Sequence, residues 1–525
     1  MLKGYFLLVL HTHLPFVRHP EHEDFLEEDW LYEAITECYI PLLIRFKKLR
    51  EEGVDFRITI SMTPPLCNML SDSLLMLRYE RKLTKLLELV RKERKRFKRK
   101  EEFLKVVDFY KKRLDEIYEF FKKYKGNILS AFKEFSSNLE IITCAATHGF
   151  IPLMKEDYEI KWQINIGVKD YEYHFGRKPK GIWLPECGYD PRVERYLKRN
   201  GIKFFFLDTH GILYGEPRPK YFVYAPVYTE NGILSFARDP ESSMQVWSAD
   251  VGYPGDFRYR EFYRDVGYDA PYDYIKDYLG KDGLRKFLGL KYYRITGRVP
   301  LDKKEVYVPE WALGTAKTHA GHFHFSRSKQ IEYLSSIFDR LPCVVAPFDT
   351  ELFGHWWFEG PDFLYYFIKE VDKWKVMKMI TPVEYEEIYP ENQKQKVNIS
   401  TWGDRGYNDV WLNGKTDWIY RHLHNCSQKF KEIVDKYPSS EGILYRCINQ
   451  ALRELLLAQS SDWAFLITCG TATNYAIKRT KDHIHNFLKL YDFIMKKEFN
   501  EGFLKELEEK NNIFPWLDYR EIIKG

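Results

Sequence analysis

The chain has 525 residues, 45% of them hydrophobic and 17% aromatic, so it can bury a sizeable core with flat side chains to spare. Its 81 basic and 76 acidic residues leave a net charge of only +5, which gives no general drive toward nucleic acid or anionic membranes. Eight scattered cysteines form no C-x-x-C pair, which argues against a zinc finger or a dense disulfide framework and suits a reducing compartment.

In chain order, short apolar runs alternate with polar loops and helical segments. The runs are "GYFLLVL" (4–10), "FRITISM" (56–62), "ITCAA" (142–146), "GIWLP" (181–185), "KFFFL" (203–207) and "CVVAPF" (343–348). Runs this apolar predict strands covered on both faces, in a parallel sheet or barrel. The first imitates a signal peptide, but it is short and His11 and His13 follow it, so a buried strand and a cytoplasmic protein are expected. Residues 72–135 interrupt the alternation with long charged amphipathic helices, read as an insertion with a solvated face. After Glu186, "YDPRVERYLKRNG" offers Asp190 as N-cap, Pro191 at the first helical position and Gly201 as the stop. From residue 395 strand signals fade and helical periodicity takes over. The expected division is a catalytic unit over 1–394, the insertion 72–135 within it, and a helical unit over 395–525.

A parallel barrel carries its chemistry just beyond the C-terminal ends of its strands. Glu186 and Asp349 each stand at such a place, among Trp183 and Tyr189 for one and Phe348, Trp356 and Trp357 for the other. Two carboxylates in an aromatic cleft are what glycoside hydrolysis requires, one as nucleophile or base and the other as acid. Glu351, two residues on, is an alternative acid. His11 and His13 alternate on one strand and read either as a metal pair, with His148, His319, His322, His324 and Asp349 as further ligands, or as polar lining of a pocket. The metal reading would make the protein a metal-dependent deacetylase or amidohydrolase. Trp402 and Trp411 lie in the Gly-rich loop "STWGDRGYNDVW", Asp462 adjoins Trp463 in "SSDWAF", and Arg258, Arg260 and Arg264 follow Gly-Pro turns. These clusters fit a sugar groove, or ion pairs between parts of the chain.

Taken together, "HTHLP", "ATHGFIP", "WLPECGY", "APFDTELFGHWW" and "SSDW" resemble the five ordered motifs of glycoside hydrolase family 57. The segments "ARDPESSMQVWS", "GYPGDFRYREFYRD" and "KYYRITG" are similar to its α-1,4-glucan branching-enzyme subgroup and to related α-amylase-like members. The resemblance implies an α/β fold, an incomplete (β/α)7 barrel with a helical insertion and a C-terminal helical domain closing one side of the cleft. It implies a retaining mechanism without metal or other cofactor, with Glu186 as nucleophile and Asp349 as acid/base. His11, His13 and His148 would line the sugar site nearest the bond broken, and Trp402, Asp462 and Arg264 would contact substrate. Trp411 and Trp463 are added as platforms for an acceptor chain. The expected partner is an α-glucan or maltooligosaccharide, with neither nucleic acid nor membrane. Transfer to a second glucan needs water kept out, and residues 228–243, with their Asn231-Gly232 turn, are the expected lid.

Overall fold

The computed structural model describes residues 1–248 and 251–524. Among the described residues, nine strands form one curled sheet: β1 (Gly4–Thr12), β2 (Ile58–Met62), β3 (Leu139–Cys144), β4 (Gly181–Trp183), β5 (Phe204–Leu207), β6 (Val227–Tyr228), β7 (Leu234–Ala237), β8 (Cys343–Asp349) and β9 (Met377–Met379). Their order is β6-β7-β5-β4-β3-β2-β1-β8, with β9 on β1. All pairings are parallel except β6 with β7.

Every residue of β1 is buried, as its unbroken apolar run requires when both faces are covered. The curl brings the two ends of the sheet together, where the Asp239 N–H just beyond β7 donates to the Val345 carbonyl of β8 at 2.8 Å. The result is an α/β half-barrel. Eight strands run parallel, and the antiparallel β6 lies on its edge.

The insertion is helical as expected, with helices Ser73–Arg96, Glu101–Lys123 and Ile128–Glu134. Asp72 caps the first, accepting from Leu75 N, and Asn127 caps the last. Near the C-terminus, helices Asp417–Lys436, Gly442–Ala458, Ser461–Cys469 and Thr473–Lys496 pack mainly on one another. Buried apolar residues from the sheet, the insertion and these helices join in one continuous core. Among the described residues, no helix is long and apolar enough to cross a membrane.

The segment 228–243 is not a lid. It holds the β6–β7 hairpin turn, strand β7 and the start of helix Pro240–Trp247. Because β7 runs parallel to β5, the Asn231-Gly232 turn sits at the end of the sheet away from Glu186. There Asn231 Nδ2 donates to Glu194 Oε2 at 2.7 Å. The run "LSFA" is interrupted by Ser235, so its strand character does not stand out, and the Asn-Gly pair marks a hairpin.

Candidate active site

A cleft of about 880 Å³ opens at the C-terminal ends of the strands. It is lined by His11, His13, His148, Glu186, Arg238, Asp349 and Glu351 from the sheet side, and by Trp402, Trp411, Asp462 and Phe465 from the later part of the chain. Neighbouring strands set these positions: in the ladder, His11 stands opposite Ser61 on one side and Asp349 on the other.

Glu186 follows β4 in a single 3₁₀ turn and takes a left-handed backbone, φ 61° and ψ 24°. Cys187 and His148 also have positive φ, 51° and 58°. Such conformations cost about 1–3 kcal/mol each and persist where surrounding structure enforces them. Here the enforcement is visible. Glu186 O accepts from Trp402 N at 3.0 Å, its Oε2 from Trp402 Nε1 at 2.9 Å, and its Oε1 from Ser461 Oγ at 2.8 Å. Burial raises the Glu186 carboxyl above its ordinary range, and the two donors offset part of that rise. A buried acid ending an apolar run is thus a carboxylate built into a cradle of donors.

Asp349 ends β8 and is pushed well above the ordinary Asp range by burial first, then by the neighbouring charges of Glu351 and Glu186. The environments separate the two acids: Glu186 has donors that favour its anion, whereas Asp349 faces anions that favour its proton. Such a separation is how acid and anionic roles are divided between paired carboxyls.

Behind Glu186 the three histidines form a stack. His11 Nε2 and His148 Nε2 share a hydrogen bond of 3.0 Å, and His148 Nδ1 bonds Ser461 Oγ at 2.8 Å. His13 bonds Thr63 Oγ1 at 3.0 Å and Asp462 Oδ2 at 2.9 Å. Burial holds His11 and His148 well below the ordinary His range, so they are neutral. Burial also disfavours the His13 cation, but Asp462 outweighs it and the His13 pKa is raised.

Ligand atoms of His13, His148 and Asp462 lie within 4.8 Å of one another. They do not fit a metal ion. The His13 and His148 rings are face to face, with centroids 3.8 Å apart and planes 14° from parallel. An ion about 2.0–2.1 Å from each nitrogen must lie near the plane of each ring, and one ion cannot lie in two planes stacked this way. His319 and His322 instead bond Tyr259 OH at 2.8 Å and Tyr253 OH at 2.7 Å, and His324 bonds Ser328 Oγ at 3.4 Å.

The expected substrate contacts divide. His11, His13, His148, Trp402 and Asp462 line the cleft together with both carboxyls. Arg264 does not: it donates to Asp269 at 3.1 Å and to the Leu301 carbonyl at 3.1 Å, and its guanidinium lies 3.4 Å over the Tyr293 ring. Arg258 pairs with Asp256, and Arg260 is buried against Glu37. Trp463 is 1% exposed, its Nε1 donating to the Leu457 carbonyl, and it does not reach the cleft. Trp411 is also 1% exposed and stacks on Phe150 at 4.4 Å, so it is part of the wall and offers no open face.

Open aromatic faces on the cleft include Trp356, 58% exposed and stacked on Phe262, Trp247 at the end of helix Pro240–Trp247, and Phe465. Ser461 and Arg238 also went unassigned in the sequence. Their signal there is membership of the quoted segments "SSDW" and "ARDPESSMQVWS".

Residues 7–327 match the family described as "Glycosyl hydrolase family 57", and residues 422–521 match "1,4-alpha-glucan branching enzyme, C-terminal". A 1,4-α-glucan branching enzyme of Thermococcus kodakarensis is 35% identical over 98% of this chain and 78% of its own length. Among solved structures, the α-amylase AmyC of Thermotoga maritima is 45% identical with a TM-score of 0.93, covering 99% of both chains. The branching enzyme of Pyrococcus horikoshii is 35% identical with a TM-score of 0.87, covering 98% of this chain and 95% of its own. Fold, motif order and these likenesses agree along the chain: it belongs to glycosyl hydrolase family 57.

Proposed function

We propose that this chain is a retaining α-1,4-glucan transglycosylase that forms α-1,6 branches. The observation that carries the reading is the different setting of the two carboxyls: both are raised by burial, but Glu186 accepts from Trp402 and Ser461, which favour its anion, whereas Asp349 is raised further by the charges of Glu351 and Glu186. In this mechanism Glu186 attacks the anomeric carbon as Asp349 gives its proton to the departing 4-oxygen, leaving a glycosyl ester on Glu186. Asp349, now anionic, then takes the proton of an incoming hydroxyl, whose oxygen displaces Glu186. The neutral His11 and His148 and the His13–Asp462 pair line the sugar nearest this bond.

With the acceptor's 6-hydroxyl the product is a branch; with water it is a shortened chain. Transfer wins when the acceptor is held in place and water is excluded. The match of residues 422–521 to the branching-enzyme C-terminal region and the branching-enzyme relatives support transfer. The open ring of Trp356, on the loop that carries Asp349, gives an acceptor chain a surface to stack on. The likeness to AmyC favours a second reading, α-amylase hydrolysis by the same two residues. On either reading we divide the chain into a catalytic unit, 1–394 with its insertion 72–135, and a helical unit, 395–525, that supplies Asp462 and Ser461 to the cleft. We place the protein in the cytoplasm and assign it to starch- or glycogen-type glucans.

The test is incubation with amylose, followed by counting reducing ends before and after a debranching enzyme. Branching leaves the count nearly flat until debranching releases many new ends. A count that climbs at once, with only short linear products, makes the protein an amylase.

A further inference from the structure

The acid residue is mounted in an unusual way. The helix Glu28–Ala34 passes into a π-helical turn, Ile35–Tyr39, before continuing as Ile40–Glu51. Single π turns of this kind are concentrated at functional sites. Three consecutive residues of this one grip the loop that follows Asp349. Glu37 Oε2 bonds His355 Nδ1 at 3.1 Å, Cys38 Sγ donates to the Thr350 carbonyl at 2.9 Å, and Tyr39 OH donates to Glu351 Oε1 at 2.5 Å. The fit is close on both sides: a Cβ on Gly354 would stand 2.0 Å from the Glu37 carbonyl oxygen. From the opposite side Thr12 Oγ1 bonds Thr350 Oγ1 at 2.7 Å. Glu37 is itself anchored by Arg260 Nη1 at 2.7 Å.

This mounting fixes Glu351 in the wall of the cleft, two residues beyond Asp349 and lining the same space. Nothing in the mechanism above uses it. Resting on the reading of Asp349 as the acid, we propose that Glu351 is a positioning residue: the Tyr39 hydroxyl of the π turn holds its carboxylate beside Asp349 so that its negative charge keeps the proton on Asp349 between turnovers.

The charged and titratable groups around the pair agree with that assignment. Tyr39 and Cys38 face Glu351 from the π turn, and His13 faces it from the end of β1. Glu186, Arg238 and Asp462 face Asp349 from β4, β7 and helix Ser461–Cys469. After burial, the charge of Glu351 is the largest influence raising Asp349, ahead of Glu186, and Arg238 opposes them. Burial raises Glu351 and the Tyr39 hydroxyl draws it part of the way back, leaving it at about 7, so its carboxylate charge is present above neutral pH. When Glu186 is neutralised by glycosylation, one of the two anions holding that proton disappears. Glu351 then remains as the standing charge that restores it.

The experiment measures kcat/KM against pH for the full-length enzyme on a maltooligosaccharide and on an aryl maltoside, whose leaving group needs little acid help. The expected result for Glu351→Gln is an active enzyme whose alkaline limb moves down by about one pH unit, roughly tenfold in rate at a fixed pH on that limb. Glu351→Asp, which keeps the charge, should restore most of the limb. Tyr39→Phe should move it the same way by less, because Glu351 then holds its own proton to higher pH. An unmoved limb in Glu351→Gln overturns the proposal. So does a Glu351→Gln enzyme dead on the oligosaccharide but active on the aryl maltoside, because Glu351 would then be the acid itself. If Glu351→Gln does not fold, the Tyr39→Phe limb decides in the same way. Asp349→Asn separates this from the underlying reading: full oligosaccharide activity in that variant refutes Asp349 as the acid, whatever Glu351 does.

Discussion

The indole N–H of Trp402 donates to Glu186 Oε2 at 2.9 Å, joining residues 216 positions apart in the chain. The same indole packs on Trp183, with ring centroids 4.8 Å apart, so its direction is set by the strand that carries Glu186. The bond ties the loop around residue 402 to the proposed nucleophile. Trp402→Phe keeps most of the packing and deletes the donor. A hydrogen bond to a charged group is worth about 1.5–3 kcal/mol, so kcat should fall about 10- to 100-fold with little change in melting temperature, as initial rates and calorimetry on one preparation would check.

The two carboxyls should fail differently. Glu186→Gln removes the proposed nucleophile and should abolish turnover of every substrate, with the fold intact by circular dichroism. Asp349→Asn should lose natural glucans but keep aryl maltosides, which leave without a proton. Equal losses on both substrates in Asp349→Asn would refute its role as acid.

Stability should carry the mark of the raised acids. Asp349 and Glu351 hold protons in the folded state to higher pH than in the unfolded chain, with Glu351 raised to about 7. The folded state therefore binds more protons than the unfolded one above the unfolded carboxyl range near 4, and stability falls as pH rises from there through about 7. Glu351→Gln removes the Glu351 share of that slope, so it should raise the melting temperature at pH 7 relative to the parent and leave it unchanged at pH 4. Thermal scans at the two pH values are sufficient. A variant destabilised equally at both would contradict the assignment.

The tryptophans should divide by burial. Trp463 is 1% exposed, and Trp463→Ala should destabilise by about 3–5 kcal/mol whatever its effect on activity. Trp356 is 58% exposed, and Trp356→Ala should leave the melting temperature within a degree or two while raising KM for long glucans or lowering the ratio of transfer to hydrolysis. Denaturation and product analysis on the two variants would check both halves.

Chelation should do nothing to the rate. Both ring nitrogens of His148 are already bonded, to His11 and Ser461, and those of His13 to Thr63 and Asp462. Activity lost on dialysis against a chelator and recovered with zinc would revive the metal-dependent reading.

Much of this was fixed by local pattern. Short unbroken apolar runs between polar loops suit strands covered on both faces, so six of the eight parallel strands are legible in the sequence, and with them the positions of Glu186 and Asp349 at or just beyond strand ends. An acid in such a place needs either a partner or a purpose, which made the pair visible before any geometry. What the sequence could not carry was direction and partnership. Trp356 and Trp357 are neighbours, yet one is 58% exposed and the other 1%. Arg264 has the composition of a substrate contact and spends its charge on Asp269. "LSFA" is interrupted by Ser235 and "MKM" by Lys378, so neither β7 nor β9 stands out as an apolar run, and the hairpin before β7 reads as a lid. The Ser461 and Trp402 donors meet one carboxylate from 275 and 216 residues away. Periodicity reports which residues must leave water; only the folded chain decides which of them meet, because those contacts are made by segments that share no local pattern.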